Sequence, residues 1–443
     1  MERPGDVLRR PGARQSAILG VAMIAAGGLD YLVYVVAGRW LGPAEFGIFV
    51  AVSAVLQVLS LLAMSIRVVV ARYTSDLSAS GAGASSFLLA AWRWAARWGL
   101  GLTLLVAVAG PLLARVLALP DAWAIWAAAP ALAAMFLRGI AFGALQGTHR
   151  FGTLGVVQVV QAMLRIAFAA GLLAAGWRAG GAILATSLSA AACVLISAWR
   201  VRGLLGPRSL GASLIRLGLR SPSVEPSRGP PPVAVSWNYS AASVVGLAVF
   251  GLATNLDALV VRHWFDPETA GAYGPVVTLS RICLFLPTAI GLVLFTKVAS
   301  RRAMGRDPRA ILLAALSASL APGLVLTAAY FTAPGVLVRL VFTRAYPDPG
   351  LVLGLAGLAG TLFAGVHIWI NYALSLERNR YVWALAGILC AQLGTMWLLG
   401  RHSLVGMTAA MVASALASNV AGYLTTWSSS AEPSPAAGLE GSA

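Results

Sequence analysis

Residues 16–37 read SAILGVAMIAAGGLDYLVYVVA, a run of 22 residues whose single charged side chain is Asp30. A helix needs about 20 consecutive, mainly apolar residues to cross the hydrocarbon core of a bilayer. Several arginines precede the run, as in a secretory signal, but it lacks a convincing A-x-A cleavage site. The run therefore predicts a retained first transmembrane helix.

The rest of the chain repeats this pattern. Of its 443 residues, 59% are hydrophobic and 11% are charged, and the mean hydropathy is +0.82. Soluble domains carry roughly 25% charged residues, so lipid must be the solvent for most of this chain. The sequence predicts an all-α polytopic membrane protein. Its twelve spans lie at roughly 16–37, 46–70, 95–118, 122–147, 152–176, 180–199, 235–261, 272–296, 310–332, 350–374, 381–399 and 403–427.

The basic residues predict the orientation. A net charge of +17 would indicate nucleic-acid binding in a soluble protein, but here Lys and Arg lie in short loops between the spans. If the N-terminus is cytoplasmic, 22 of the 32 Lys and Arg residues fall on the cytoplasmic side, 7 fall outside and 3 fall within spans. Cytoplasmic loops of membrane proteins carry this excess. We expect a protein of the cytoplasmic (inner) membrane with both termini inside and no nucleic-acid partner.

The loops predict how the chain is divided. The longest non-membrane stretch, residues 200–234, is rich in Arg, Pro and Gly and separates an N-terminal six-helix lobe (1–199) from a C-terminal one (235–427). Within that cytoplasmic linker, residues 209–220 have the pattern of a short interfacial helix, and a flexible linker is the alternative. The polar tail 428–443 is predicted to be disordered.

Two segments half a chain apart match each other. Residues 40–49, WLGPAEFGIF, align at an offset of 224 with residues 264–273, WFDPETAGAY, with Trp, Pro and Gly identical. Each segment joins the first and second helices of a six-helix half. The two halves therefore run in the same direction, and we expect a pseudo-two-fold axis along the membrane normal.

Short motifs in both halves resemble a known family. Residues 37–47, AGRWLGPAEFG, precede a helix that closes with RVVVARY (67–73), and the second half has NLD at 255–257 and GAY at 271–273. These are similar to the R-x-L-G-x-x-x-F/Y-G, N-x-D and G-x-Y motifs in the polysaccharide-transporter branch of the multidrug/oligosaccharidyl-lipid/polysaccharide (MOP) exporter superfamily. Where that family often has a glycine in the second helix, this chain has Met64-Ser65.

The resemblance implies a MATE-like fold and a transport function. The expected substrate is a lipid-linked oligosaccharide or a related polyprenyl-pyrophosphate glycan, flipped for lipopolysaccharide or exopolysaccharide biosynthesis. The two lobes would alternate access to a central cavity among membrane lipids, with a glycan polymerase or other export machinery as a further partner. No cofactor is expected.

Charged residues within the spans are the first candidates for substrate binding. A charge at a helix centre costs about 2.5–3.5 kcal/mol on insertion scales, so it is expected to face a cavity or a partner. Arg281, Arg165, Arg138 and Arg67 could meet a pyrophosphate, because a guanidinium donates a fork of hydrogen bonds to phosphate oxygens. The alternatives are structural pairing with an intramembrane aspartate or, for Arg67 near the cytoplasmic end, snorkelling to the interface.

The acids and amides within the spans have two interpretations each. Under the 224 offset, Asp257 corresponds to position 33, three residues from Asp30, so both acids occupy similar faces of related helices. They are candidates for binding a coupling cation, and structural salt bridges are the alternative. Asn255 and Asn371 suit sugar hydroxyls, although such groups also join helices without a ligand.

Other functions have less support in the sequence. Cys193, Cys283 and Cys390 lack CxxC spacing and histidine companions, so no metal site is predicted. A multidrug cation antiporter of the MATE type remains the alternative, because Asp30 could receive a cationic drug. A membrane glycosyltransferase or polymerase would need a large outer loop or an acidic metal-binding motif, and neither occurs. We therefore expect a transporter and not an enzyme.

Overall fold

The computed structural model describes residues 11–79, 84–205, 237–284, 309–342, 346–376 and 379–427, with the isolated positions 290, 294, 298 and 307. In these ranges every regular element is a helix. The first half consists of α1 (Pro11–Trp40), α2 (Pro43–Ala79), α3 (Ser85–Val116), α4 (Trp123–Gly147), α5 (Phe151–Ala174) and α6 (Arg178–Leu205).

The second half is also helical. It consists of α7 (Trp237–Trp264), α8 (Pro267–Ser280) with the 3₁₀ turn Arg281–Leu284, α9 (Arg309–Thr332), α10 (Pro334–Val341), α11 (Leu351–Ser375), α12 (Arg380–Thr395) and α13 (Leu404–Gly422). Single π-helical turns, Met396–Gly400 and Tyr423–Trp427, extend the last two helices.

Eleven helices among the described residues are long and apolar enough to cross a membrane. They match eleven of the twelve predicted spans, which confirms an all-α, multi-pass membrane protein. Two helices run further than their apolar stretches: α2 continues to Ala79, and α3 begins at Ser85 instead of near residue 95. The residues just before the predicted span 95–118, Arg93 among them, are therefore helical and do not lie in a loop. A helix can continue beyond the hydrocarbon core, where its residues no longer need to be apolar.

The eighth predicted span, 272–296, differs from a straight helix. Its described part is α8, which ends at Ser280, and Arg281 opens a 3₁₀ turn. Such a break within a membrane requires new partners for the carbonyl groups it releases. Tyr330 of α9 supplies one, because its hydroxyl donates to the Leu279 carbonyl oxygen at 2.8 Å. Arg281 thus lies at a helix discontinuity and not within a regular span.

Packing divides the chain into two compact units. The first contains Met1–Val235, Ala258–Thr278 and Val338–Pro347, and the second contains Ser236–Asp257, Leu279–Leu337 and Asp348–Ala443. The predicted linker and tail lie outside the described residues, except for the end of α6. The sequential lobes 1–199 and 235–427 stay a prediction.

Each unit is organised around one helix rich in small residues. In the first unit, 17 of the 25 residues of α4 are buried, whereas only 5 of the 32 residues of α3 are buried. In the second unit, 18 of the 25 residues of α11 are buried. Small side chains let neighbouring helices approach closely, which is how helices associate in lipid. The central helices α4 and α11 therefore fix the positions of the polar groups described next.

Candidate functional site

A row of glycines on α4 brings this helix against the backbone of α2. Gly139, Gly143 and Gly147 are spaced four residues apart, and they face the carbonyl groups of Ala63, Arg67 and Ala71. A Cβ atom on Gly143 would lie 2.8 Å from the Arg67 carbonyl oxygen, which is too close for any other residue without movement. The approach carries the Arg67 side chain onto α4.

Two arginines surround one aromatic ring at this contact. The Arg67 guanidinium lies 5.7 Å from the centroid of Phe142, and that of Arg138 lies 5.8 Å from the same centroid. Arg67 Nε donates to the Gln146 side-chain oxygen at 2.9 Å, and Arg138 Nη1 donates to the Gln161 side-chain oxygen at 3.1 Å. Within the described residues neither guanidinium forms an ion pair with a carboxylate. Both charges are held by neutral amides and a ring, and this group is called the arginine pair below.

Arg165, unlike the arginine pair, forms an ion pair with a carboxylate of the described residues. Its Nη1 forms an ion pair with Asp30 at 3.1 Å, its Nε donates to Thr186 Oγ1 at 3.1 Å, and its guanidinium lies 5.9 Å from the Tyr34 ring. The Arg165 side chain is 13% exposed and that of Asp30 is 49% exposed. Pairing with Asp30, the structural alternative for Arg165, is thus present in this conformation. The half-exposed carboxylate keeps a free side.

The three candidate arginines of the first unit, Arg67, Arg138 and Arg165, follow one another along the helices. Gln146 and Arg138 are separated by about 12 Å along α4, at 1.5 Å per residue. Gln161, the partner of Arg138, lies one turn before Arg165 on the same face of α5. Arg67 and Arg138 share the Phe142 ring, and the partner of Arg138 neighbours Arg165 on α5, so the three arginines follow in this order along these helices.

In the second unit, a crevice opens at the break after α8. Arg281 and Asp257 both line it, together with Thr254, Ser280 and Phe363. Asp257 is only 4% exposed, and Gly360 of α11 packs closely against the backbone of Ser280. The break in α8 thus brings a cation and an acid, predicted separately from the sequence, to one crevice.

The two candidate asparagines have mainly local partners. Asn255 is 3% exposed, and its amide donates to the Gly251 carbonyl at 2.8 Å and to Thr254 Oγ1 at 3.1 Å. Its side-chain oxygen has no hydrogen-bond partner among the described residues. Asn371 donates to the His367 carbonyl one turn earlier, at 2.8 Å. Asn255 therefore keeps an acceptor available, whereas the Asn371 bond stays within α11.

Sequence reasoning named the charged residues but missed their neutral partners. Gln146, Gln161 and Phe142 complete the arginine pair, and Thr186 completes the Arg165 site. A detectable signal existed, because glutamine within an apolar span is itself costly and indicates a partner. The described residues contain no cluster of three or more His, Cys, Asp or Glu that could hold a metal ion.

The fold of the chain is similar to those of solved transporter structures. No protein-family model and no curated protein matches the sequence. A multidrug resistance MATE family transporter of the MOP superfamily, in an inward-facing conformation, is 14% identical with a TM-score of 0.67, over 92% of this chain and 98% of that one. Lipid II flippase MurJ, in an inward closed conformation, is 12% identical with a TM-score of 0.67, over 92% and 87%. The eukaryotic MATE transporter AtDTX14 is 15% identical with a TM-score of 0.64, over 93% and 95%.

The TM-scores establish the fold. At identities this low they do not identify the family, so membership of the polysaccharide-transporter branch stays a prediction. They also agree with the helix order derived above over nearly the full length of the chain. The protein is a multi-pass membrane protein with the MATE-like fold that the sequence predicted.

Proposed function

We propose that the protein is a flippase that moves a lipid-linked oligosaccharide, or a related polyprenyl-pyrophosphate glycan, across the cytoplasmic membrane. The observation that carries this proposal is the arginine pair: two guanidinium groups share the Phe142 ring, and neither forms an ion pair with a carboxylate in the part of the chain that the structure describes. An anionic headgroup would supply the missing counter-charge. The lipid II flippase among the structural neighbours supports the substrate class by analogy alone.

The chemistry of the pair suits a pyrophosphate. Amide oxygens of Gln146 and Gln161 each occupy one N–H of a guanidinium, and the remaining N–H groups stay available to phosphate oxygens. Bidentate hydrogen bonds between guanidinium and phosphate are among the strongest in proteins. Because Arg67 lies beyond the midpoint of α2, towards the end that is predicted to be cytoplasmic, it would meet the headgroup first, and Arg138 would hold it deeper.

Transport requires that the held headgroup be released on the other side. In the proposed cycle, the substrate passes from the arginine pair towards the middle of the membrane, where Arg165 is the next cation of the first unit, and Arg281 is the candidate that the second unit contributes. Asp30 competes with the substrate for Arg165, since both would contact the same guanidinium. Asp30 and Asp257 are the candidates for binding the ion whose movement drives the cycle.

The first experiment is deletion of the gene with analysis of polyprenyl-linked glycans and surface polysaccharide. We expect lipid-linked glycan to accumulate inside and surface polymer to disappear. Complementation with Arg67→Gln, Arg138→Gln or Arg281→Ala should fail at normal protein abundance. Arg401→Gln, which changes an exposed arginine stacked on Trp397 at 5.0 Å, should complement fully and serves as the control. Full export by the Arg67→Gln/Arg138→Gln double variant would overturn the role of the pair.

A MATE-type cation antiporter is the second candidate. The half-exposed carboxylate of Asp30, next to Tyr34, favours it because a cationic drug would seek an acid and an aromatic ring. In that case the deletion strain would have normal glycans and raised drug sensitivity. Loss of drug export in Asp30→Asn, with retention in Arg138→Gln, would move the assignment to the antiporter.

The predicted orientation belongs to the same proposal. We place both termini and the linker in the cytoplasm, on the 22-to-7 distribution of basic residues. Terminal fusions to a reporter that is active on only one side of the membrane test this directly. Activity on the outer side at either terminus would reverse it.

A further inference from the structure

Helices α2 to α6 meet at one end of the first unit around a shared apolar cluster. Val70 of α2, Leu88 of α3, Leu145 of α4, Leu154 of α5 and Val201 of α6 are all buried in it. The ends of α2, α4 and α6 and the beginnings of α3 and α5 therefore lie side by side. This end is predicted to be cytoplasmic.

Exposed cations surround the cluster. Five arginines at these helix ends are exposed: Arg72, Arg93, Arg150, Arg200 and Arg202. Among the described residues of the same helix ends the only acid is Asp76, on α2. Between residues 84 and 205 the chain has one acid, Asp121, which precedes α4 and so belongs to the opposite end. The surface has a strong excess of positive charge.

At the end of α6, two of these arginines stack on one tryptophan. The guanidinium of Arg200 lies 4.9 Å from the Trp199 ring and that of Arg202 lies 5.0 Å from it, while the indole is 52% exposed. Stacking on the ring restricts both side chains, so less conformational entropy is lost when they bind a ligand. Neither arginine forms an ion pair with a carboxylate of the described residues. We call Trp199, Arg200 and Arg202 the α6 cation group.

The neighbouring surface is apolar and faces outwards. Trp94 and Trp98 of α3 are 47% and 62% exposed, and Leu105, one turn beyond Gly101, is 63% exposed. Trp92, on another side of α3, packs against the cluster that contains Val201 and against a second buried cluster that contains Val194, so α3 lies alongside the C-terminal half of α6. A ligand that fits both surfaces has an anionic head and a long apolar tail.

We propose that the α6 cation group and Arg93 bind the headgroup of an anionic phospholipid, whose acyl chains lie along α3. Phosphate oxygens match guanidinium donors, and tryptophan prefers the headgroup level of the bilayer. Basic clusters between helix ends on the cytoplasmic side are known to recognise such lipids. The residues of this site are not those of the arginine pair, and the proposal does not depend on which substrate is transported.

Native mass spectrometry of the purified full-length chain tests the proposal. Phosphatidylglycerol and cardiolipin should remain bound at collision energies that remove phosphatidylethanolamine. One arginine near an anionic lipid surface contributes about fivefold in affinity, so Arg200→Gln/Arg202→Gln should weaken cardiolipin binding about 30-fold. Trp199→Ala, which keeps both charges, should weaken it less.

Arg401→Gln is the matched control, because Arg401 also stacks on a tryptophan, Trp397, but at the end predicted to be outside. It should bind cardiolipin as the wild-type protein does. All variants change exposed side chains, and their elution on gel filtration should be unchanged. Three results would overturn the proposal: equal retention of phosphatidylethanolamine, undiminished cardiolipin binding by the double variant, or equal loss in Arg401→Gln.

Discussion

Replacing Gly271 by alanine tests a close approach of two helices in the first unit. Gly271 lies in the first turns of α8, against the first turn of α2. A Cβ atom there would lie 2.7 Å from the Ala44 nitrogen and closer still to the Pro43 carbonyl group. These are backbone atoms and cannot rotate away. The repeat aligns Gly271 with Gly47, whose own Cβ atom would lie 3.0 Å from the Gly271 Cα atom.

The size of the effect follows from these distances. Ordinary van der Waals contacts of a Cβ atom begin near 3.4 Å, so alanine at 271 forces the two backbones apart by at least roughly 0.7 Å. Overpacking of this kind destabilises the folded state by about 1–3 kcal/mol, whereas the higher helix propensity of alanine compared with glycine stabilises it by about 0.5–1 kcal/mol. We expect a net loss of about 1–2 kcal/mol for Gly271→Ala. Gly47→Ala should lose less, since its contact is looser.

Thermal unfolding in detergent, followed by gel filtration with fluorescence detection, gives the melting temperature of each variant and so ranks the variants by stability. Gly42→Ala is the matched control, because it lies in the same segment and its Cβ atom would meet nothing within 4 Å. The midpoint temperature should fall most for Gly271→Ala, less for Gly47→Ala and not for Gly42→Ala. If Gly271→Ala melts at or above the wild-type temperature, the two helices do not approach this closely and the reasoning fails.

Three further predictions concern stability. Asp30→Asn and Arg165→Gln should each lower the melting temperature and the double variant should lose less than their sum, with a coupling of about 0.5–3 kcal/mol in a double-mutant cycle. Gln392→Ala should cost about 1–3 kcal/mol by thermal unfolding, because it leaves the buried Ser414 hydroxyl without its 2.8 Å partner; an unchanged melting temperature would contradict this. Burial raises the pKa of the Tyr346 phenol above its ordinary value of about 10, so ionisation favours the unfolded chain and stability is lost as pH rises above about 10. Melting temperatures between about pH 8 and 11 should show this loss in the wild type and a smaller one in Tyr346→Phe; equal slopes would refute it.

The sequence predicts the spans because one physical quantity, the thickness of the hydrocarbon core, sets their length. That constraint ends at the membrane surface, and this is why α3 begins ten residues before its predicted span. It also gives no information on the helix break at Arg281, where the carbonyl group of Leu279 is satisfied by the hydroxyl of Tyr330, 51 residues further along the chain. Local composition fixes helix existence and approximate position, and long-range packing fixes where a helix is interrupted.

The residues of the candidate site also fall into two groups, those that can be predicted from local composition and those that cannot. Intramembrane charges are visible in the sequence because they are costly wherever they lie, so the arginines and aspartates could be named from composition alone. Their neutral partners could not be named. The partner of Arg67 is Gln146, 79 residues away, and it is reached only because three glycines let α4 approach α2. The sequence contained both the glycines and the glutamine, but nothing in one sequence links them.

The different surroundings of the arginines bear on function more strongly than their number does. Arg165 forms a salt bridge with Asp30, and such a salt bridge is compatible with a structural role as well as with a role in transport. Arg67 and Arg138 carry like charges around one ring, so each raises the cost of keeping the other in the membrane. A purely structural site would be satisfied by neutral side chains, such as the glutamines already there, at lower cost. The arrangement becomes favourable when an anion joins it, and a substrate that carries phosphate through the membrane is such an anion.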